Sequence, residues 1–181
     1  MASQVTREQL IALLNEDITL EYAAAIQYIQ HYSVMQGAQF DAIRVHLLEH
    51  AEDEIEHATK LSDRVNYMGG VPVANQALSK TSANAVEMLQ QDLHDEGVAV
   101  ARYKERLEQA FLLKEYGLVE VLQGILVDEE EHENDLETTL GTQKAPSAAP
   151  AAPQGGPVDD YVPVVMAKVA ALRSERARHS A

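Results

Sequence analysis

Leu118–Leu140 reads LVEVLQGILVDEEEHENDLETTL, and its spacing decides the fold. In alternate steps of four and three, Leu118, Leu122, Ile125, Glu129, His132, Leu136 and Thr139 form one face of a helix. The ends of that stripe suit packing. Its middle does not, because an unpaired buried carboxylate costs on the order of several kcal/mol. Something must compensate Glu129 and His132.

The same anomaly recurs upstream. In AIRVHLLEHAEDEIEHATKLSDRVNYM the stripe is Ile43, Leu47, His50, Glu54, His57, Leu61, Val65 and Met68, again with Glu-x-x-His at its centre. Two further stripes carry a single glutamate each: Leu14, Ile18, Glu21, Ala25, Tyr28, Tyr32, Met35, and Val86, Leu89, Leu93, Glu96, Val100, Tyr103, Leu107. Glu21 and Glu96 are separated by 75 residues, as are Glu54 and Glu129, and His57 and His132. Leu14 and Leu89, Asp17 and Asp92, Tyr28 and Tyr103, Asp53 and Asp128, and Leu61 and Leu136 keep the same interval. The chain is a doubled helix pair, and the expected fold is an all-α four-helix bundle.

Each half supplies one Glu from its first helix and one Glu-x-x-His from its second. Together they offer four carboxylates and two imidazoles, the inventory of a two-metal centre. Mixed carboxylate and imidazole donors favour divalent iron or manganese. Zinc uses fewer ligands in a tighter tetrahedron, and calcium takes more oxygens and no histidine. The competing reading treats EDEIEH and DEEEHEND as solvated acidic helix faces, which such runs usually are. The shared interval and the core-stripe positions argue against it. His31, His46, His94 and His179 have no such pairing and are expected at the surface or its boundary; His50, one turn before Glu54, is open to either reading.

At these residues, in LNEDITLEYAAAIQY, EIEHATKL, EMLQQDLHDE and ILVDEEEHENDLE, the sequence resembles the ferritin-like superfamily, and bacterioferritin most closely, over about residues 6–140. The resemblance implies that Glu21 and Glu96 are terminal ligands, that Glu54 and Glu129 bridge two iron ions, and that His57 and His132 bind one each. It further implies a long crossover between the second and third helices, ferroxidase activity, iron storage and a homo-oligomeric cage. Two departures matter. The family's haem-ligating methionine, next to the first bridging glutamate, is here Ile55, so no haem is expected. The short fifth helix of large cages is replaced after Gly141 by TQKAPSAAPAAPQGGP, which leaves the subunit number open.

The 181 residues suffice for one domain and a tail. Zero cysteine excludes disulfides, thiolate metal sites and a rubredoxin-like module in this chain. No apolar leader or membrane-length run appears, so a cytoplasmic protein without membrane contact is expected. Thr6-Arg7-Glu8-Gln9 reads as a capping box opening the first helix, which should run to about Gln36 with Gly37 as a left-handed stop. The second helix should end at Met68, before Gly69-Gly70 and Pro72. The third should open near Ser82. The second turn should fall near residue 112 or 113, where Gly117 is the only nearby breaker, and Gly141 should close the fourth helix.

Residues 142–163 read as a Pro/Ala/Gly-rich flexible linker and 164–181 as a short basic amphipathic helix with Val165, Val169 and Leu172 on one face. Residues 1–141 hold 9 Lys plus Arg against 26 Asp plus Glu, whereas 142–181 hold 5 against 3. So acidic a body repels nucleic acid and attracts cations. The tail is expected to touch a neighbouring subunit or a shell protein. The mechanism expected is transfer of electrons from two ferrous ions to O2 or H2O2, with Tyr28, Tyr103, Asp53 and Asp128 supporting the ligands from behind. Two alternatives use the same sequence differently: a di-iron or di-manganese peroxide-detoxifying enzyme without storage, and a ferritin-like cargo docked into a larger shell by its tail.

Overall fold

The four stripes become four helices: α1 (Arg7–Val34), α2 (Asp41–Tyr67), α3 (Ala85–Leu112) and α4 (Tyr116–Leu140). The computed structural model describes residues 5–143, among which there is no strand. The linker expected at 142–163 lies outside them from residue 144 onward, as do the helix expected at 164–181 and His179. α1 packs on α2 and α3, and α4 packs on α3 and α2, which makes a square four-helix bundle.

The start of α1 follows from its capping box. Gln9 N–H donates to Thr6 Oγ1 at 3.2 Å and Thr6 N–H donates to Gln9 Oε1 at 2.8 Å. Its end differs from expectation. The helix stops at Val34, because Met35 turns extended (φ −62°, ψ 130°) and buries its side chain beside Tyr28, Ile43 and Leu47. Gly37 does take a positive φ of 116°, but with ψ 128° it is no left-handed helical cap; it leads into the 3-10 turn Ala38–Phe40.

α2 ends at Tyr67, with Met68 as its cap, and the chain then climbs α1. Asn15 Nδ2 donates to the Val71 carbonyl, Ala77 N–H to the Thr19 carbonyl, Ser79 Oγ to the Ala23 carbonyl, and Lys80 N–H to Gln27 Oε1. Those α1 partners come at intervals of four, one per turn. The crossover therefore runs the length of the bundle, and α3 starts at the end opposite to where α2 stopped. α2 and α3 are parallel in consequence.

α3 opens at Ala85, three residues later than expected. Asn84 is the better cap, its Oδ1 accepting from Val86 N–H at 2.9 Å and Glu87 N–H at 3.2 Å. The turn to α4 falls where the glutamate spacing put it, but Lys114 (φ 60°) makes it, not Gly117. Gly117 lies inside α4, where a Cβ would come within 3.2 Å of the Arg64 guanidinium. Its absence of side chain serves close packing. Gly141, at φ 66° and ψ 28°, closes α4 in the left-handed conformation.

The apolar residues sort into two layers. Leu10, Leu14, Ile18, Leu61, Val65, Tyr103, Leu118, Leu122 and Ile125 fill one end, and Tyr28, Ile43, Leu47, Met88, Leu89 and Leu136 the other. Val86 and Thr139, at the ends of their stripes, are exposed. Leu61→Ala and Leu136→Ala, one in each layer, should each cost about 2–5 kcal/mol in urea unfolding of the metal-free protein, against less than about 0.5 for the exposed Val127→Ala. If Leu136→Ala proved as mild as Val127→Ala, the second layer would not be a packed core.

Candidate metal centre

Between the two apolar layers lie six polar side chains, none more than 3% exposed: Glu21, Glu54, His57, Glu96, Glu129 and His132. All six sequence candidates are brought together. α1 contributes Glu21, α2 Glu54 and His57, α3 Glu96, and α4 Glu129 and His132. The residues form two overlapping groups. Donor atoms of Glu21, Glu54, His57 and Glu129 lie within 4.8 Å of one another, and so do those of Glu54, Glu96, Glu129 and His132. Glu54 and Glu129 belong to both.

Each imidazole is held from both sides. His57 Nδ1 lies 3.3 Å from Glu54, 3.4 Å from Glu129 and 3.5 Å from Glu21, while its Nε2 meets Asp128 Oδ2 at 3.1 Å. His132 repeats this, with Nδ1 3.3 Å from Glu54 and Nε2 3.4 Å from Asp53. Nε2–H donating to an aspartate leaves the Nδ1 lone pair for a cation. The tyrosines cross between the halves: Tyr103 OH donates to Glu21 and Tyr28 OH to Glu96. All four supporting residues expected from sequence therefore touch the six.

A further layer was missed in the sequence. Asp17 pairs with Arg102 Nε at 3.1 Å and Arg106 Nε at 2.8 Å, and Arg102 Nη2 also reaches Glu21 Oε1 at 2.9 Å. Asp92 meets His31 Nδ1 and Gln27 Nε2, each at 2.9 Å. The expectation that His31 lies at the surface or boundary is thus wrong: it is fully buried, because Asp92 across the bundle needs a partner. The signal was available, since Arg102 and Arg106 stand 75 residues after Gln27 and His31. Of the other unpaired histidines, His94 and His46 are exposed. His50 is buried with its ring stacked on His132 at 4.0 Å, and its Nε2 lies 3.6 Å from Asp135, which His46 Nδ1 also approaches at 3.7 Å.

Burial and the neighbouring carboxylates push Glu54 up to about 8 and Glu129 up to about 7, and raise Glu96 well above the usual carboxylate range. Burial acts on Glu21 too, but hydrogen bonds with His57 and Glu54 and the charge of Arg102 outweigh it and bring Glu21 down to about 2. Burial likewise opposes protonation of the imidazoles. The surrounding glutamates win, lifting His132 to about 9 and His57 far above the imidazole range. In the metal-free protein, protons on these histidines therefore hold the carboxylates together.

The residues of each group could hold a metal ion. Glu21 Oε2, Glu54 Oε1, Glu96 Oε2, Glu129 Oε1 and His132 Nδ1 are buried without completing a hydrogen bond among the described residues. Every glutamate thus has one oxygen with no well-formed hydrogen bond, three of them facing only an imidazole Nδ1 at 3.3–3.5 Å, which is costly unless a cation takes it. A cavity between α1 and α3, with apolar walls from Leu20, Val98 and Ala99, reaches all four glutamates. No helix among the described residues is long and apolar enough to cross a membrane.

Comparison with known proteins agrees with this architecture. The family profile described as a ferritin-like domain matches residues 11–145. Bacterioferritin of Brucella melitensis is 32% identical over 133 residues, which cover 73% of this chain and 83% of that protein. Bacterioferritin of Streptomyces coelicolor is 29% identical, over 73% of this chain and 80% of that one. Among solved structures, a ferritin-like diiron-carboxylate protein from Bacillus anthracis superposes with a TM-score of 0.71 at 30% identity, covering 74% of this chain and 96% of its own. A dodecameric thioferritin from Bacteroides fragilis, described as bacterioferritin-related, gives a TM-score of 0.71 at 31% identity, over 76% of this chain and 88% of its own. With the matched profile spanning all but the first four residues of the bundle, and bacterioferritins recurring among its relatives, the chain belongs to the ferritin-like family.

Proposed function

We propose that the protein is a ferroxidase of the ferritin and bacterioferritin type, which oxidises ferrous iron at an intrasubunit two-metal centre and serves iron storage within a homo-oligomer. The observation that carries this reading is the pair of overlapping donor groups sharing Glu54 and Glu129, each completed by one terminal glutamate and one buried histidine. Its relatives support it: bacterioferritins in sequence, and in structure a diiron-carboxylate protein and a dodecameric thioferritin.

Bound there, iron supplies the redox change: two ferrous ions lose one electron each, and O2 with two protons leaves as hydrogen peroxide, or H2O2 with two protons leaves as two waters. The remaining work belongs to the chain. Glu54 and Glu129, which belong to both donor groups, would be the ligands common to both ions, and Glu21 and Glu96 would each offer the oxygen that Tyr103 or Tyr28 does not occupy. Asp128 and Asp53 fix the imidazole rings through Nε2, and the Nδ1 protons must leave before metal can enter. The apolar layers above and below keep bulk water from the carboxylates.

Glu129→Ala should abolish the rapid phase of ferrous oxidation in stopped-flow absorbance, because it removes a ligand common to both ions. Glu130→Ala, whose carboxylate pairs with Lys104 on the surface, should leave it nearly unchanged. Equal loss in both variants would mean that the wrong face of α4 has been assigned. Asp128→Asn should weaken metal binding by about 10–100-fold by freeing the His57 ring.

Protonation supplies a second test. Glu54 and Glu129 hold protons in the fold at pH values where the unfolded chain, with carboxyls near 4.5, has lost them. Their contribution is complete below about pH 4.5 and is lost as pH rises through about 7 and 8; that of His132 is complete below about 6.5 and is lost through about 9. Glu21, shifted downward, works in the opposite sense only below about pH 4.5. The metal-free protein should therefore melt at progressively lower temperature from pH 5.5 to 8.5, and saturating Mn(II) should remove that decline. A flat metal-free profile by calorimetry would contradict the assigned protonation.

A further inference from the structure

The 75-residue repeat that doubles the ligands is broken beside them. Around Asp92 stand Gln27 and His31; around Asp17, in the equivalent places, stand Arg102 and Arg106. We propose that this break makes the two halves of the centre unequal, so that the Glu96–His132 half takes the first divalent ion and the Glu21–His57 half the second. The inference rests on the metal-centre reading given above, and names the residue that sets the order, Arg102.

The geometry is specific. Arg102 Nη2 donates to Glu21 Oε1 at 2.9 Å and its Nε lies 3.1 Å from Asp17 as an ion pair without a hydrogen bond, with the side chain only 14% exposed. Tyr103 donates to the same Glu21 oxygen. Glu21 therefore faces an incoming ion with one oxygen already committed to a permanent cation. Glu96, its counterpart, accepts only from Tyr28, and among the described residues no lysine or arginine pairs with it. Gln27, the counterpart of Arg102, carries no charge and turns instead to Asp92 and Asp95, at 2.9 and 3.1 Å.

Charge decides which half fills first. A guanidinium is always protonated, and in a poorly solvated interior its repulsion of a nearby ion is little screened. The same charge helps by keeping Glu21 ionised. That help is the repulsion of one proton, whereas a divalent ion carries two charges and is repelled twice as strongly. Arg106, 2.8 Å from Asp17 on the same side, adds in the same sense.

The test is a Mn(II) titration of the full chain followed by electron paramagnetic resonance. One equivalent per chain should give the six-line signal of isolated Mn(II), and the second should replace it with the spectrum of an exchange-coupled pair, with dissociation constants at least about tenfold apart. Arg102→Gln installs the residue found in the other half and should bring the coupled spectrum in alongside the six-line signal already at one equivalent, with the two dissociation constants drawn together. Arg102→Lys keeps the charge and should keep the two steps. His132→Ala should lose the tight first ion and His57→Ala should retain it. Coupled pairs from the first addition in the unaltered protein, two steps preserved in Arg102→Gln, or a first ion that survives His132→Ala would each overturn the inference while leaving the metal centre standing. Failure of the unaltered protein to bind Mn(II) at all would overturn the metal-centre reading, and the inference with it.

Discussion

Four glutamates in the middle of an apolar bundle repel one another and have lost their water, and every polar group around them answers that cost. In the metal-free chain the answer is protons, on His57 and His132 and partly on the carboxylates themselves. Two divalent cations would neutralise the four charges without protons. Asp53, Asp128, Tyr28 and Tyr103 each bind an atom of the six that is not needed for a metal, and so aim the remaining atoms at one another. A site of this kind is stable only with its contents, whether protons or metal.

Much of the fold and of the six-residue centre was legible because two independent periodicities coincide. The 3.6-residue stripe says which face is buried, and the 75-residue interval says which residues on that face meet. Glu129 on a buried stripe is an anomaly; Glu54 at the matching place in the other half turns it into a pair. Helix ends were less legible where tertiary packing set them. Met35 stops α1 early because its side chain belongs to the core, and Lys114 turns the chain while Gly117, inside α4, lies against the Arg64 guanidinium.

His31 and the two arginines were missed for a different reason. Likeness between the halves located the ligands, and attention to likeness conceals the places where the halves differ. Asp17 and Asp92 keep the interval and are both buried, so each needs a partner across the bundle. Different partners were recruited, two arginines in one case and an imidazole with an amide in the other. A duplicated site is informative at its exceptions as well as at its matches.

The crossover strung along α1 has a consequence for folding. α1 with α2, and α3 with α4, are local hairpins that can form early, whereas the crossover must close a long loop before the hairpins meet. Each donor group takes three residues from one hairpin and the shared glutamate from the other: Glu129 joins Glu21, Glu54 and His57, and Glu54 joins Glu96, Glu129 and His132. Neither hairpin can assemble a complete group alone. Metal affinity at such a centre would therefore also measure hairpin docking, and a chain that had joined its hairpins badly would not retain an ion.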